Sequence, residues 1–225
     1  MGFNIIAMGR SVLITGTDTG VGKTYVTYNL ALALRKKGVK VGCFKPVETY
    51  VRDIPEDGLL LSEATGQPVD EVVPVRFSLP LSPYAAEMEE GRPVDLGFLR
   101  KRFEELERRY DLLLVEGAGG IAVPVKRGYT YADLALDWDL EVIIVGRAGL
   151  GTLNHTYLAW FYAREKGLEV KGIVLNGFTG EDVSERTNPR IVEEMTGIRP
   201  VCLRKTEGPV AREEDISPLL DLVWP

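Results

Sequence analysis

Cysteine is scarce in this chain: of 225 residues only Cys43 and Cys202 carry a thiol, and His155 is the single histidine. Both cysteines lie in apolar, strand-like stretches with no second Cys or His at ligand spacing. That argues against a disulfide framework and a zinc site, and it fits a reducing cytoplasm. His155 begins a helical stretch with no Ser or Cys motif beside it, so it has no triad to complete, and capping or packing is its first reading. Excess basic charge is lacking too. The 27 Lys and Arg against 33 Asp and Glu leave a formal charge of -6, the wrong sign for binding a phosphate backbone, so nucleic acid is not an expected partner. The longest basic cluster, Arg100-Lys101-Arg102, runs straight into Glu104, Glu105 and Glu107, the pattern of a solvated helix face with near-neighbour ion pairs. No apolar run is long enough to span a bilayer, so no membrane is expected. Residues 1–8 are apolar but have neither a basic flank nor a cleavage site. We read residues 1–9 as an extension outside the fold, or Met8 as the functional start.

The length suits one α/β domain, and no internal repeat divides residues 1–225. The apolar run Ser11 to Thr15 predicts a strand, followed by a glycine-rich loop. A helix comes next, with Val26, Leu30, Ala33 and Leu34 at helical spacing up to Lys37-Gly38. Further strands are expected over Val39–Phe44, Asp111–Val115, Leu140–Val145, Val170–Leu175 and Pro200–Leu203. Helices are expected over Glu56–Thr65, from Asp95 onward with Leu96, Leu99, Phe103 and Leu106 on one face, and over Leu153–Lys166 and Val183–Met195. A helical turn closes the chain. The proline-rich segment Gln67–Pro93 has little periodicity and reads as a long surface excursion. The strand interiors are apolar without alternation, as when helices cover both faces of a parallel sheet. The expected fold is therefore a single-domain, open, doubly wound, mostly parallel sheet with helices on both faces and ligands at the carboxyl ends of its strands.

The strongest chemical signal is Gly16-Thr17-Asp18-Thr19-Gly20-Val21-Gly22-Lys23-Thr24, between the first strand and the first helix. Polyphosphate needs several backbone N–H groups in one concave loop, and a helix N-terminus adds partial positive charge. Lys23 supplies a cation for the outer phosphates and Thr24 a hydroxyl for magnesium. The loop makes the expected sheet one of the P-loop NTPase type, although its first glycine falls one place earlier than in the usual loop. A second signal is Leu112-Leu113-Leu114-Val115-Glu116, a buried strand that delivers a carboxylate to the same end of the sheet, ahead of Gly117-Ala118-Gly119-Gly120. A hard cation wants such an oxygen. Lys45, at the end of the second strand, is placed either to neutralise a transferring phosphoryl group or simply to snorkel off a strand end. Asp57, near a helix start, is by itself an ordinary stabilising choice.

The whole chain resembles the dethiobiotin synthetases. The resemblance rests on Thr15-Gly16-Thr17-Asp18-Thr19 through Gly22-Lys23-Thr24, Lys45-Pro46-Val47, Gly91-Arg92-Pro93 and Val115-Glu116-Gly117-Ala118-Gly119-Gly120. It continues through Tyr131-Ala132-Asp133, Leu150-Gly151, Asn154-His155 and Asn176. It implies ATP as co-substrate, magnesium held by Thr24, Asp57 and Glu116, and phosphates wrapped by Gly20, Val21, Gly22 and Lys23, with Tyr25 and Asn176 completing the nucleotide site. It also implies a reacting carbamate surrounded by Thr19, Lys23, Lys45 and Thr49. In a homodimer, Leu150, Gly151 and Asn154 would receive the substrate carboxylate from the neighbouring subunit. The implied reaction carboxylates 7,8-diaminopelargonate with carbon dioxide and closes a cyclic urea. The chain departs from the family at Glu48-Thr49-Tyr50, where Tyr50 stands in place of a glycine, and over Arg204–Pro209, which does not resemble the family's base-contacting segment. Two rival readings are a switch ATPase of the plasmid-partition or division-site type and another synthetase of the same superfamily. The first is disfavoured by Asp18, where such ATPases carry an extra lysine. The second is disfavoured by the missing glutamine-hydrolysing domain.

Overall fold

The computed structural model describes residues 10–224, so the expectation for residues 1–9 lies outside the described residues. In chain order the elements begin with β1 (Arg10–Gly16), α1 (Lys23–Lys36), β2 (Val41–Phe44), β3 (Val47–Glu48), α2 (Glu56–Thr65), α3 (Val69–Val72), β4 (Val75–Arg76) and α4 (Pro83–Glu90). Then come α5 (Leu96–Glu107), β5 (Leu112–Gly120), β6 (Pro124–Lys126), β7 (Tyr129–Thr130), α6 (Tyr131–Asp137), β8 (Glu141–Arg147) and α7 (Thr152–Glu165). β9 (Val170–Phe178), a 3-10 turn (Val183–Arg186), α8 (Asn188–Thr196), β10 (Val201–Arg204) and α9 (Glu213–Val223) complete the chain.

Six strands form one sheet in the order β10-β9-β8-β1-β5-β2, with every pairing parallel. Along β1, Val12 and Ile14 enter one apolar core with Val26, Leu30 and Leu34 of α1 and Leu219 of α9, while Leu13 enters the other with Leu99 and Phe103 of α5 and Tyr131 of α6. β5 divides in the same way, Leu112 and Leu114 against Leu113 and Val115. Successive side chains point to opposite faces, so a strand covered on both sides must be apolar at every position. Each fully buried Leu contributes about 1.5–3 kcal/mol of transfer free energy. Chain order reverses beside β1: the chain runs outward to β2, returns to β5, then builds β8, β9 and β10 on the far side.

Asp95 caps α5 by accepting from the Phe98 N–H at 2.9 Å, as expected of an N-cap carboxylate. The pairs Arg100–Glu104 and Arg102–Glu105, both 2.7 Å, are the near-neighbour ion pairs read from the basic cluster. Three segments differ from expectation. Residues 67–93 contain α3, β4 and α4; β4 pairs in parallel with β3 through Val47 opposite Val75 and Glu48 opposite Arg76. Strands of two residues leave no periodicity to read. The stretch 183–195 is a 3-10 turn followed by α8, broken at Thr187 just ahead of Pro189, because Pro189 has no N–H for the carbonyl four residues back and its ring would clash with that carbonyl in a continuous α-helix. The final helical turn is an 11-residue helix, α9.

Candidate active site

Strand register assembles the site. Phe44 of β2 lies opposite Val115 of β5, and Ile14 of β1 lies opposite Glu116. Lys45, the next residue after β2, therefore comes alongside Glu116 where the strands end. The loop from β1 to α1 curls over the same place. Gly16 opens that loop where a Cβ would sit 2.6 Å from the Asp18 carbonyl oxygen and 2.9 Å from that of Gly119. Gly22 closes it with φ 95, and a Cβ there would sit 2.0 Å from Asn176 Nδ2. Only glycine fits either position. The early glycine of the sequence thus preserves the closure of the loop against β5.

Lys23, the first residue of α1, is buried and donates across its own loop to the Asp18 carbonyl at 3.2 Å. Burial lowers its pKa, with Glu116 opposing the shift. Glu116 is wholly buried: its Oε1 accepts from Thr24 Oγ1 at 2.9 Å and from Lys45 Nζ at 2.7 Å, while its Oε2 has no partner. Lys45 is also buried and donates to Asp57 Oδ2. Burial alone would lower the Lys45 pKa, but the Glu116 and Asp57 carboxylates outweigh it and hold the ammonium protonated well above the usual lysine range. Asp57 is pushed up by burial and drawn down further by Lys45, for a net lowering.

A cleft of about 870 Å³ opens on this cluster, lined by Thr19, Gly20, Lys23 and Thr24 from the loop and α1, and by Lys45, Thr49, Tyr50 and Asp57 from the segment after β2. Thr24 thus meets Glu116 directly, and Asp57 meets it through Lys45. No group of three or more His, Cys, Asp or Glu side chains suited to a metal occurs among the described residues. Two carboxylates, a threonine hydroxyl and an unpartnered buried oxygen on Glu116 fit magnesium, which takes one or two protein carboxylates and completes its shell with phosphate and water oxygens.

On the far side of the loop, Asn176, two residues before the end of β9, donates to the Val21 carbonyl at 3.0 Å. The Tyr25 hydroxyl shares a hydrogen bond of 3.0 Å with Thr206. Asn29 ties the same segment to α1, donating to Pro209 O at 2.9 Å and accepting from Ala211 N at 2.7 Å. The unfamiliar 204–209 segment is therefore anchored beside the loop. Leu150, Gly151 and Asn154 lie elsewhere, at the exposed start of α7, and do not line the cleft of their own chain. Beside them a second, largely apolar hollow of about 670 Å³ runs from Thr17–Thr19 and Gly119–Pro124 to His155, Leu158 and Phe161. Tyr50, where the family pattern has glycine, takes φ 63, a left-handed backbone that favours glycine over a bulky side chain.

Sequence reasoning missed two residues. Arg147, at the end of β8, is exposed and donates to the Thr19 carbonyl at 3.2 Å; its place at the carboxyl end of a central parallel strand was the signal. Glu48, buried beside Lys45, carried no motif signal.

A family profile described as an AAA domain matches residues 10–204. The ATP-dependent dethiobiotin synthetase BioD of Aquifex aeolicus is 72% identical over 84% of this chain and 86% of its own length. The chain belongs to the dethiobiotin synthetase family. Synthetases of the same name from Bacillus licheniformis, 40% identical over 93% of this chain and 88% of that one, and Methanocaldococcus jannaschii, 43% identical over 77% and 82%, agree. Among solved structures, chloroplast FtsY from Physcomitrella patens aligns with a TM-score of 0.51 at 20% identity, covering 97% of this chain and 66% of that one. At that identity it supports the P-loop fold alone.

Proposed function

We propose that the chain closes a cyclic urea on 7,8-diaminopelargonate, taking carbon dioxide and ATP and releasing dethiobiotin, ADP and phosphate. One amine captures carbon dioxide as a carbamate, a carbamate oxygen attacks the terminal phosphoryl group, and the second amine displaces phosphate as the ring closes. The carbamate is already a nucleophile, so the protein's work is placement and charge neutralisation. The observation that carries this reading is the convergence of two buried lysines, Lys23 and Lys45, with Glu116 and Asp57 on the phosphate loop, in a cleft that no histidine lines.

Lys23 would follow the outer phosphates from inside its loop, and Lys45 would neutralise the charge spreading between carbamate and phosphoryl group. Thr19 and Thr49, which both line the cleft, would hold the carbamate. Thr24, Asp57 and Glu116 would hold magnesium, whose charge offsets that of the phosphates when bound. Gly20, Val21 and Gly22 would wrap the phosphates, with Tyr25 and Asn176 on the nucleoside side. The active assembly would be a cytoplasmic homodimer in which Leu150, Gly151 and Asn154 serve the substrate held by the other copy. In support of this, Leu150 is 89% exposed, and Leu158 (54%) and Phe161 (45%) leave an apolar face open beside the phosphate loop.

The test is phosphate release from ATP with and without the diamine and bicarbonate. Release should require both, with dethiobiotin appearing in equal amount. Release at an unchanged rate without the diamine would point instead to a switch ATPase.

A further inference from the structure

Helix α2 presents Asp57 to the cleft from its first turn, yet its N-cap is Pro55, which has no side-chain hydrogen bond to offer. The N–H groups of the first turn of a helix lack intrahelical partners and call for an acceptor. Here the acceptor comes from outside the helix. Glu48 of β3, nine-tenths or more buried, accepts from the Asp57 N–H at 3.1 Å through Oε1 and from the Gly58 N–H at 2.9 Å through Oε2. The close approach depends on glycine at 58, where a Cβ would meet Val73 Cγ2 at 2.5 Å and Glu48 Oε2 at 3.3 Å. Lys45, three residues before Glu48, holds the Asp57 side chain. Backbone and carboxylate of Asp57 are thus gripped from two points of one short segment.

We infer that Glu48 is a positioning residue for the reaction: as a remote N-cap on α2, it sets where the Asp57 carboxylate stands for the divalent cation. Glu48 borders the cleft, but both its carboxylate oxygens are engaged by backbone N–H groups of α2, so its assigned role is exerted through Asp57. Burial raises the Glu48 pKa, which the two N–H donors and Lys45 counter; the bidentate geometry is the acceptor mode of the ionised group. This inference rests on the proposal that Asp57 is a magnesium ligand.

The experiment uses the full chain with Glu48→Ala, Glu48→Gln and Asp57→Asn. Binding of a non-hydrolysable ATP analogue is followed calorimetrically against free magnesium, and amide hydrogen exchange is read at Asp57 and Gly58. Glu48→Ala should raise the magnesium needed for half-maximal coupling about tenfold, as loss of a supporting contact to a metal ligand does, with magnesium-free nucleotide affinity within about twofold. Glu48→Gln, which keeps one acceptor oxygen, should fall between and serves as the reading if the alanine variant does not fold. In an Asp57→Asn background the Glu48 change should add less than about twofold, the non-additivity of residues acting through one another. Full additivity, or unchanged magnesium dependence beside a normal Asp57→Asn effect, overturns the inference. Unchanged exchange at both amides in Glu48→Ala overturns it as well, whatever the cation does. A magnesium dependence that Asp57→Asn leaves intact would instead overturn the ligand assignment of Asp57, while faster exchange in Glu48→Ala would still establish the cap.

Discussion

Lys45 Nζ lies 2.7 Å from Glu116 Oε1, the same oxygen that accepts from Thr24 at 2.9 Å. An ammonium therefore already stands against the carboxylate to which a divalent cation would bind. Two cations on one carboxylate repel strongly in a poorly hydrated site, so cation binding should loosen Lys45 from Glu116 and release it toward the cleft. One side chain would then have a structural role before loading and a catalytic one after it.

Replacing Lys45 with Gln tests both roles. Without magnesium, the change strands two carboxylates around a buried gap and should cost about 3 kcal/mol of stability, the scale of breaking a buried ion pair from one side. Magnesium with nucleotide should recover much of that loss in a thermal melt. Turnover should fall by about a hundredfold or more, with ATP affinity changed by less than about threefold, because the charge it meets develops in the transition state. An equal fall in affinity would make Lys45 an ordinary phosphate clamp.

Glu116→Gln and Asp57→Asn should separate in a magnesium titration of activity. Glu116 is fully buried and has an unpartnered oxygen, whereas the Asp57 side chain is 40% exposed, so water can stand in for it. The Glu116 change should raise the half-saturating magnesium by about tenfold or more, and the Asp57 change by less. The reverse order would mean that Asp57 is the principal ligand.

Subunit mixing addresses the exposed start of α7. Lys23→Ala should abolish turnover, since no other residue within the loop carries positive charge, and Asn154→Ala should weaken substrate binding. If each site draws Lys23 from one copy and Asn154 from the other, a heterodimer has one intact site. Mixed and exchanged homodimers should then regain up to about a quarter of parental activity. No recovery from demonstrated heterodimers would confine Asn154 to its own subunit.

Glu141 gathers Arg10 of β1 at 2.8 Å and Lys171 of β9 at 2.9 Å. Burial alone would raise its pKa, but hydrogen bonds from Lys171 and Arg10 lower it. A carboxylate with a lowered folded pKa gives stability that is full above its unfolded value and is lost as pH falls through the folded one. Acid melts of Glu141→Gln should therefore lose stability less steeply than the parent below about pH 4.5, with the parent's advantage above that pH about 1 kcal/mol or less for so partly exposed a pair. Parallel acid limbs would show that Glu141 is not a linked group.

The phosphate loop and the doubly wound sheet are legible in the sequence because both are local: a glycine cluster between an apolar strand and a helix, and runs apolar at every position. Asp95 announces its cap in the same way. Asp57 and Lys45 are visible there only as helix-start and strand-end residues, because their meeting depends on register between β2 and β5 and on where α2 is held. Glu48 cannot be read from the sequence at all. Its partners are backbone N–H groups on a helix nine and ten residues onward, and backbone groups leave no trace in side-chain pattern. The pairing of β3 with β4 is hidden for a related reason, since two-residue strands exist only through their tertiary contact.

The place of β1 in the sheet also governs when the enzyme can come into being. Although β1 is the first strand made, its two neighbours are β5 and β8, and the loop that follows it is pinned by Thr17 N to the Val145 carbonyl at 2.8 Å and by Asn176 to Val21. A nascent chain still short of β9 carries every residue of the phosphate loop but not the walls that shape it. Nucleotide held by the loop would then stabilise only chains whose synthesis has passed that point. ATP bound at the loop would thus act as a selective stabiliser of finished molecules and leave truncated products without that protection against proteolysis.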